Sequence, residues 1–92
     1  MTREALDLKI SGVVQGVGFR PFVYREAKKR DITGWVLNDV EGVRVHAEGE
    51  TLLLDRFVLA LSEEAPAAAQ VSEIEIAEVS VQGFDAFEIR FS

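Results

Sequence analysis

The stretch of this chain that could do chemistry runs Gly12-Val13-Val14-Gln15-Gly16-Val17-Gly18-Phe19-Arg20. Glycines this close together let the backbone take positive φ and turn several consecutive N–H groups to one side. Successive N–H groups so arranged make an anion-binding nest, and a helix N-terminus behind the loop adds positive potential. Arg20 ends the stretch with a planar fork of donors that matches a phosphate or a carboxylate. Together, Arg20 and the loop N–H groups of Gln15, Gly16, Val17, Gly18 and Phe19 suit one small tetrahedral anion, with no metal needed. A plain tight turn followed by a solvated arginine is the alternative, because short glycine motifs arise often by chance.

Two better-known glycine motifs do not fit. A P-loop needs Gly-Lys-Ser/Thr after its spacer, and no Lys or Ser/Thr follows here. A dinucleotide fingerprint could begin at Gly16-Val17-Gly18, but Pro21 occupies the place of the third glycine. A chain of 92 residues also cannot supply the rest of that fold.

The second candidate is Asn38, in Gly34-Trp35-Val36-Leu37-Asn38-Asp39-Val40-Glu41-Gly42. A side-chain amide accepts from a water while donating to a phosphate oxygen, so it orients an attacking water without being a base. Asn38-Asp39 could equally open a hairpin turn and nothing more. We expect strands one and two to be parallel neighbours joined through the first helix, which would bring Asn38 beside Arg20.

The elements that must hold these residues follow from periodicity. Leu6, Leu8 and Ile10 alternate with Asp7, Lys9 and Ser11, as in a half-buried strand. Pro21 suits the first turn of a helix, in which Phe22, Val23 and Ala27 share one face and Arg25, Lys28, Lys29 and Arg30 the other. Trp35-Val36-Leu37 and the alternating Val43, Val45 and Ala47 read as a hairpin. Leu54, Phe57, Val58 and Leu61 give a second amphipathic helix, ending before Pro66. Ile74 and Ile76, continued by Val79 and Val81, give a fourth strand, and Phe87, Ile89 and Phe91 a last one. The order is βαββαβ with an extra C-terminal strand. It predicts an α+β sandwich with two helices on one face of a mostly antiparallel sheet, the other face being wet.

Composition narrows the function. Sixteen acidic residues against ten Lys and Arg give a formal charge of −6, which disfavours nucleic acid as a partner. The chain has no cysteine, so thiolate chemistry is excluded, and its single histidine is His46. His46 lies on the polar phase of the third strand and reads as a solvated imidazole. Asp39 and Glu41 read as turn residues and not as a metal site, Trp35 and Phe19 as core, and Glu73, Glu75 and Glu78 as a solvated face. No window is long and apolar enough for a membrane span or a signal peptide, so the chain is expected to be cytoplasmic and without a membrane partner.

The segments Val14 to Arg20 and Gly34 to Asn38 resemble the two signature motifs of the acylphosphatase family nearly residue for residue, and Phe87 to Phe91 resembles its last strand. The resemblance covers essentially the whole chain, residues 1–92, as a single acylphosphatase-like domain. It implies a ferredoxin-like sandwich that hydrolyses the carboxyl-phosphate bond of small acyl phosphates, without metal or other cofactor. By position, Arg20 and the N–H groups from Gln15 to Arg20 would bind phosphate, and Asn38 would orient the water.

A narrower resemblance lies in Arg20-Pro21-Phe22-Val23-Tyr24 and Asn38 to Val43. These are similar to the N-terminal acylphosphatase-like domain of the hydrogenase-maturation carbamoyltransferases of the HypF type. That likeness implies carbamoyl phosphate as substrate, and further carbamoyltransferase domains or hydrogenase-maturation proteins as partners. The chain is then either an excised domain or a small stand-alone relative. Two functions remain open: an acyl-phosphate hydrolase, and a non-catalytic anion-binding or docking module of a larger carbamoyltransferase.

Overall fold

The computed structural model describes residues 2–91. Its elements are β1 (Arg3–Val13), α1 (Phe19–Lys29), β2 (Thr33–Asp39), β3 (Gly42–Glu50), α2 (Thr51–Glu63), β4 (Gln70–Val79) and β5 (Phe87–Ile89). The expected order is found, with β4 ending before Val81 and β5 before Phe91.

The strands form one sheet in the order β4-β1-β3-β2-β5. Every pairing is antiparallel except that of β5 with β2. This corrects one expectation: β1 and β2 are not neighbours. β3 lies between them and pairs antiparallel with both, Leu8 facing Val45 on one side and Val36 on the other. The physical reason is that β3 carries the deepest apolar run, Val43, Val45 and Ala47, and takes the central position where both its edges are covered. β1 and β2 therefore run in the same direction, one strand apart, and their C-terminal ends lie at the same end of the sheet.

The period-2 alternation decides what faces what. Leu8 and Ile10 of β1, Val36 of β2 and Val43, Val45 and Ala47 of β3 point to one side, where both helices cover them. α1 contributes Phe19, Phe22, Val23 and Ala27, and α2 contributes Leu54, Phe57 and Leu61. Val58 is only half-buried, and Ala60 takes the deeper place on α2. Phe57 and Phe87 meet edge to face with centroids 6.4 Å apart, tying α2 to β5.

The opposite face of the sheet is not uniformly wet. Asp7, His46 and Glu48 lie on it, and there the segment 80–86 crosses over β3. Backbone N–H groups of Gln82, Gly83 and Phe84 donate to the Glu48 carboxylate at 2.5, 3.0 and 3.1 Å. His46, expected to be solvated, is 1% exposed and buried between Trp35 and Phe84. No helix among the described residues is long and apolar enough to cross a membrane.

Candidate active site

The loop between β1 and α1 is built around two anchors and two hinges. Val14 and Phe19 are buried, so the loop is pinned into the core at both ends. Between them Gly16 and Gly18 adopt φ of 72° and 77°. A Cβ at either would meet nothing within 4 Å, so these glycines are required by backbone conformation and not by lack of space. Gly18 is also the residue that starts α1, with no side-chain cap. Among the described residues, the backbone N–H groups of Gln15, Gly16, Val17 and Gly18 donate to no carbonyl or side chain. Those of Phe19 and Arg20 belong to the first turn of α1, which has no intrahelical acceptor for them.

The Gln15 side chain does separate work. Its Nε2 donates to the carbonyls of Asp39 and Gly42, at 2.5 and 2.7 Å. The loop is thereby tied to the turn between β2 and β3, next to Asn38. A hollow of about 220 Å³ lies between Gly12–Gln15 and Val40–Gly42. Neither Arg20 nor Asn38 lines it.

Arg20 is half-buried in the first turn of α1. Its Nη1 donates to the Arg90 carbonyl at 3.1 Å, and its guanidinium lies over the Phe91 ring at 5.3 Å. Arg90 in turn donates its backbone N–H to the Val36 carbonyl at 2.8 Å. Asn38 is two residues further along β2, on the same face as Val36 and hence on the helix side of the sheet. Its Oδ1 is buried and has no hydrogen-bond partner among the described residues. Such an acceptor is uncommon, because a buried polar atom left unpaired costs free energy. Asn38 is thus flanked by Asp39, which holds the loop through Gln15, and by Val36, which holds Arg20 through Arg90.

The acidic residues beside Asn38 are each occupied. Asp39 Oδ1 accepts from the Glu41 N–H, and its other oxygen lies 3.5 Å from Arg44. The Glu41 N–H chiefly, with Arg44 beside it, lowers the Asp39 carboxyl below the usual carboxylate range. Glu41 pairs with Lys9, which raises the Lys9 ammonium. No group of three or more His, Asp or Glu side chains suited to a metal ion exists among the described residues. Of the other sequence candidates, Phe19 is core and Tyr24 packs half-buried against Phe87 at 6.3 Å. Trp35 is on the open face, stacked on His46. Sequence reasoning passed over the Gln15 side chain, Arg90 and Phe91 as parts of the site. Only their nearness to the motif residues in space reveals them.

Residues 6–89 match the acylphosphatase family model. An acylphosphatase of Thermotoga petrophila is 38% identical over 96% of this chain and 98% of its own length. Carbamoyltransferase HypF2 of Cupriavidus necator is 44% identical over 90% of this chain, which spans only 11% of that relative. Among solved structures, full-length HypF in its phosphate- and nucleotide-bound form superposes with a TM-score of 0.94. There the sequence identity is 36%, over 97% of this chain and 12% of that one. The chain belongs to the acylphosphatase family, with the ferredoxin-like α+β fold expected of it and a HypF-like sequence.

Proposed function

From this membership we propose that residues 1–92 form a single acylphosphatase-like domain in which Arg20 and the loop N–H groups bind phosphate and Asn38 orients the attacking water. The observation that carries the reading is the buried, unpartnered Asn38 Oδ1 at the strand end to which Arg20 is tied. That oxygen accepts from a water, while the Asn38 amide N–H donates to a phosphoryl oxygen. The N–H groups from Gln15 to Arg20 and the Arg20 fork take the remaining phosphoryl oxygens. Water oxygen then bonds to phosphorus as the bond from phosphorus to the acyl oxygen breaks. The carboxylate leaves with that electron pair, and the water's protons pass to phosphate and solvent. Such a transfer needs positioning and charge stabilisation above all, and a carboxylate leaves without help from an acid.

Within that class we assign carbamoyl phosphate as the substrate, releasing carbamate, in hydrogenase maturation. The similarity to HypF carbamoyltransferases over nearly the whole chain supports this, as do the residues Arg20 to Tyr24. A second reading is favoured by the small share of those relatives that the chain spans: an anion-binding module that works only beside further carbamoyltransferase domains. Phosphate release from carbamoyl phosphate and acetyl phosphate separates the two. Turnover that Arg20→Ala and Asn38→Ala both abolish establishes the hydrolase, and the substrate ratio tests the carbamoyl assignment. A folded chain that binds inorganic phosphate without turnover on either substrate establishes the module instead.

A further inference from the structure

We infer that Arg90 is a positioning residue for Arg20, and that the buried Glu48 carboxylate on the opposite face of the sheet is the anchor that sets it. This rests on the reading of Arg20 as the phosphate ligand. Arg90 is fixed at three points. Its N–H donates to Val36 of β2, its carbonyl accepts from Arg20, and its guanidinium lies over Trp35 at 5.2 Å and Phe84 at 5.7 Å. Those two rings are themselves held by one residue, His46, with centroids 6.0 and 5.3 Å away. Without the rings the long cationic side chain would sample many rotamers in solvent, and the backbone following β5 would lose a restraint on the orientation of its carbonyl.

The rings stay in place because of Glu48. One of its oxygens accepts from the N–H groups of Gly83 and Phe84, the other from Gln82 N–H and from His46 Nε2 at 2.8 Å. His46 Nδ1 meets Asp7 Oδ1 at 2.7 Å, which fixes the ring plane on which Trp35 stacks. A fully buried carboxylate with four donors is a rigid fixture. It locks the segment 80–86 to β3, and that segment delivers Phe84 beneath Arg90. None of these groups belongs to the phosphate loop, yet the route ends on the guanidinium of Arg20. Fixing one Nη1–H on the Arg90 carbonyl sets the rotation of the fork and leaves its other donors free for a phosphoryl group.

The test uses the intact chain and reads the inhibition constant for inorganic phosphate together with kcat and KM for acetyl phosphate. Arg90→Leu keeps the apolar stem and loses the clamp; it is expected to weaken phosphate inhibition and raise KM about 3- to 10-fold. Arg90→Lys, which retains a cation over the two rings, restores most of that loss. Glu48→Gln is expected to do the same as Arg90→Leu, and the double variant to do no more than either alone, because both act on one route. The Arg20 Nε–H resonance is expected to move in Arg90→Leu and to stay in Arg90→Lys. If Glu48→Gln fails to fold, the Arg90 pair still decides the matter, since the Arg90 side chain is partly exposed and lies over Trp35 and Phe84, outside the cluster the helices cover. A folded Arg90→Leu with unchanged phosphate inhibition, KM and Arg20 resonance overturns the inference. Unchanged phosphate inhibition in Arg20→Ala overturns instead the reading on which it stands.

Discussion

In the proposed mechanism Arg20 and Asn38 have different tasks, and single substitutions should separate them. As the proposed phosphate ligand, Arg20 would meet the phosphoryl group both at rest and in the transition state, so Arg20→Ala should weaken inorganic phosphate inhibition and lower kcat together. As the proposed water-orienting amide, Asn38 would meet only the water and one oxygen, so Asn38→Ala should lower kcat by about 10²- to 10³-fold, the scale of losing one preorganised donor or acceptor. Phosphate inhibition should change little in that variant. Steady-state kinetics with phosphate as competitor checks both, and a large loss of phosphate affinity in Asn38→Ala would argue against a water-orienting amide. As candidates these two residues were legible in the sequence because each stands inside a motif whose spacing has a mechanical reason. Gly16 and Gly18 supply the backbone hinge before Arg20, and Asn38 stands at the end of a strand whose following turn is tied to the loop through Gln15.

Among the elements, the strands and helices were readable because their apolar residues recur at 2 and 3.6, and the core confirms both periods at Leu8, Ile10, Val43, Val45, Leu54, Phe57 and Leu61. Strand order was not readable, since periodicity fixes which side chains face inward and says nothing about which strand is central. His46 was misjudged, and Glu48 passed over, for a related reason. They sit on the polar phase of β3, and what buries them is the segment 80–86, which follows β4 and carries no periodic signal of its own. The same limit hid the Gln15 side chain, whose partners are carbonyls of a distant turn. Gln15→Leu removes both of those hydrogen bonds and should lower kcat/KM about 10-fold, roughly the value of one or two hydrogen bonds. Amide exchange from Gln15 to Gly18 should quicken while the melting temperature moves little. Equal exchange rates in the variant would show that the loop holds its shape without the tie. Phe57 tests the scaffold: it is fully buried and touches Phe87, so Phe57→Ala should cost about 3–5 kcal/mol in urea unfolding.

At the scale of the whole molecule the buried carboxylate links folding to pH. Glu48 is fully enclosed, and that burial alone would push its carboxyl up. The N–H groups of Gln82, Phe84 and Gly83 and the His46 ring more than offset this, and hold it at about 2 against an ordinary value of 4.5. The unfolded chain therefore takes up a proton at a higher pH than the folded protein does. The stability contributed by Glu48 is complete above about 4.5, declines as pH falls below that value, and is gone once the pH has passed about 2. A shift of this size corresponds to on the order of 3 kcal/mol, a large share of the 5–15 kcal/mol expected of a small domain. Glu26 acts in the same direction more weakly: its burial opposes ionisation, but Lys29 and Arg30 bring the carboxyl below its usual range. Urea unfolding at a series of pH values from 7 to 2 should show wild-type stability falling steeply through this window. Glu48→Gln should start lower at pH 7, because an amide cannot accept from four donors, and should fall less between pH 4.5 and 2. Parallel curves for the two proteins would mean that the acid limb belongs to other carboxylates. Because the folded protein keeps Glu48 ionised down to about 2, the segment under Arg90 should stay fixed for as long as the chain is folded, and acid should act on stability before it acts on the site.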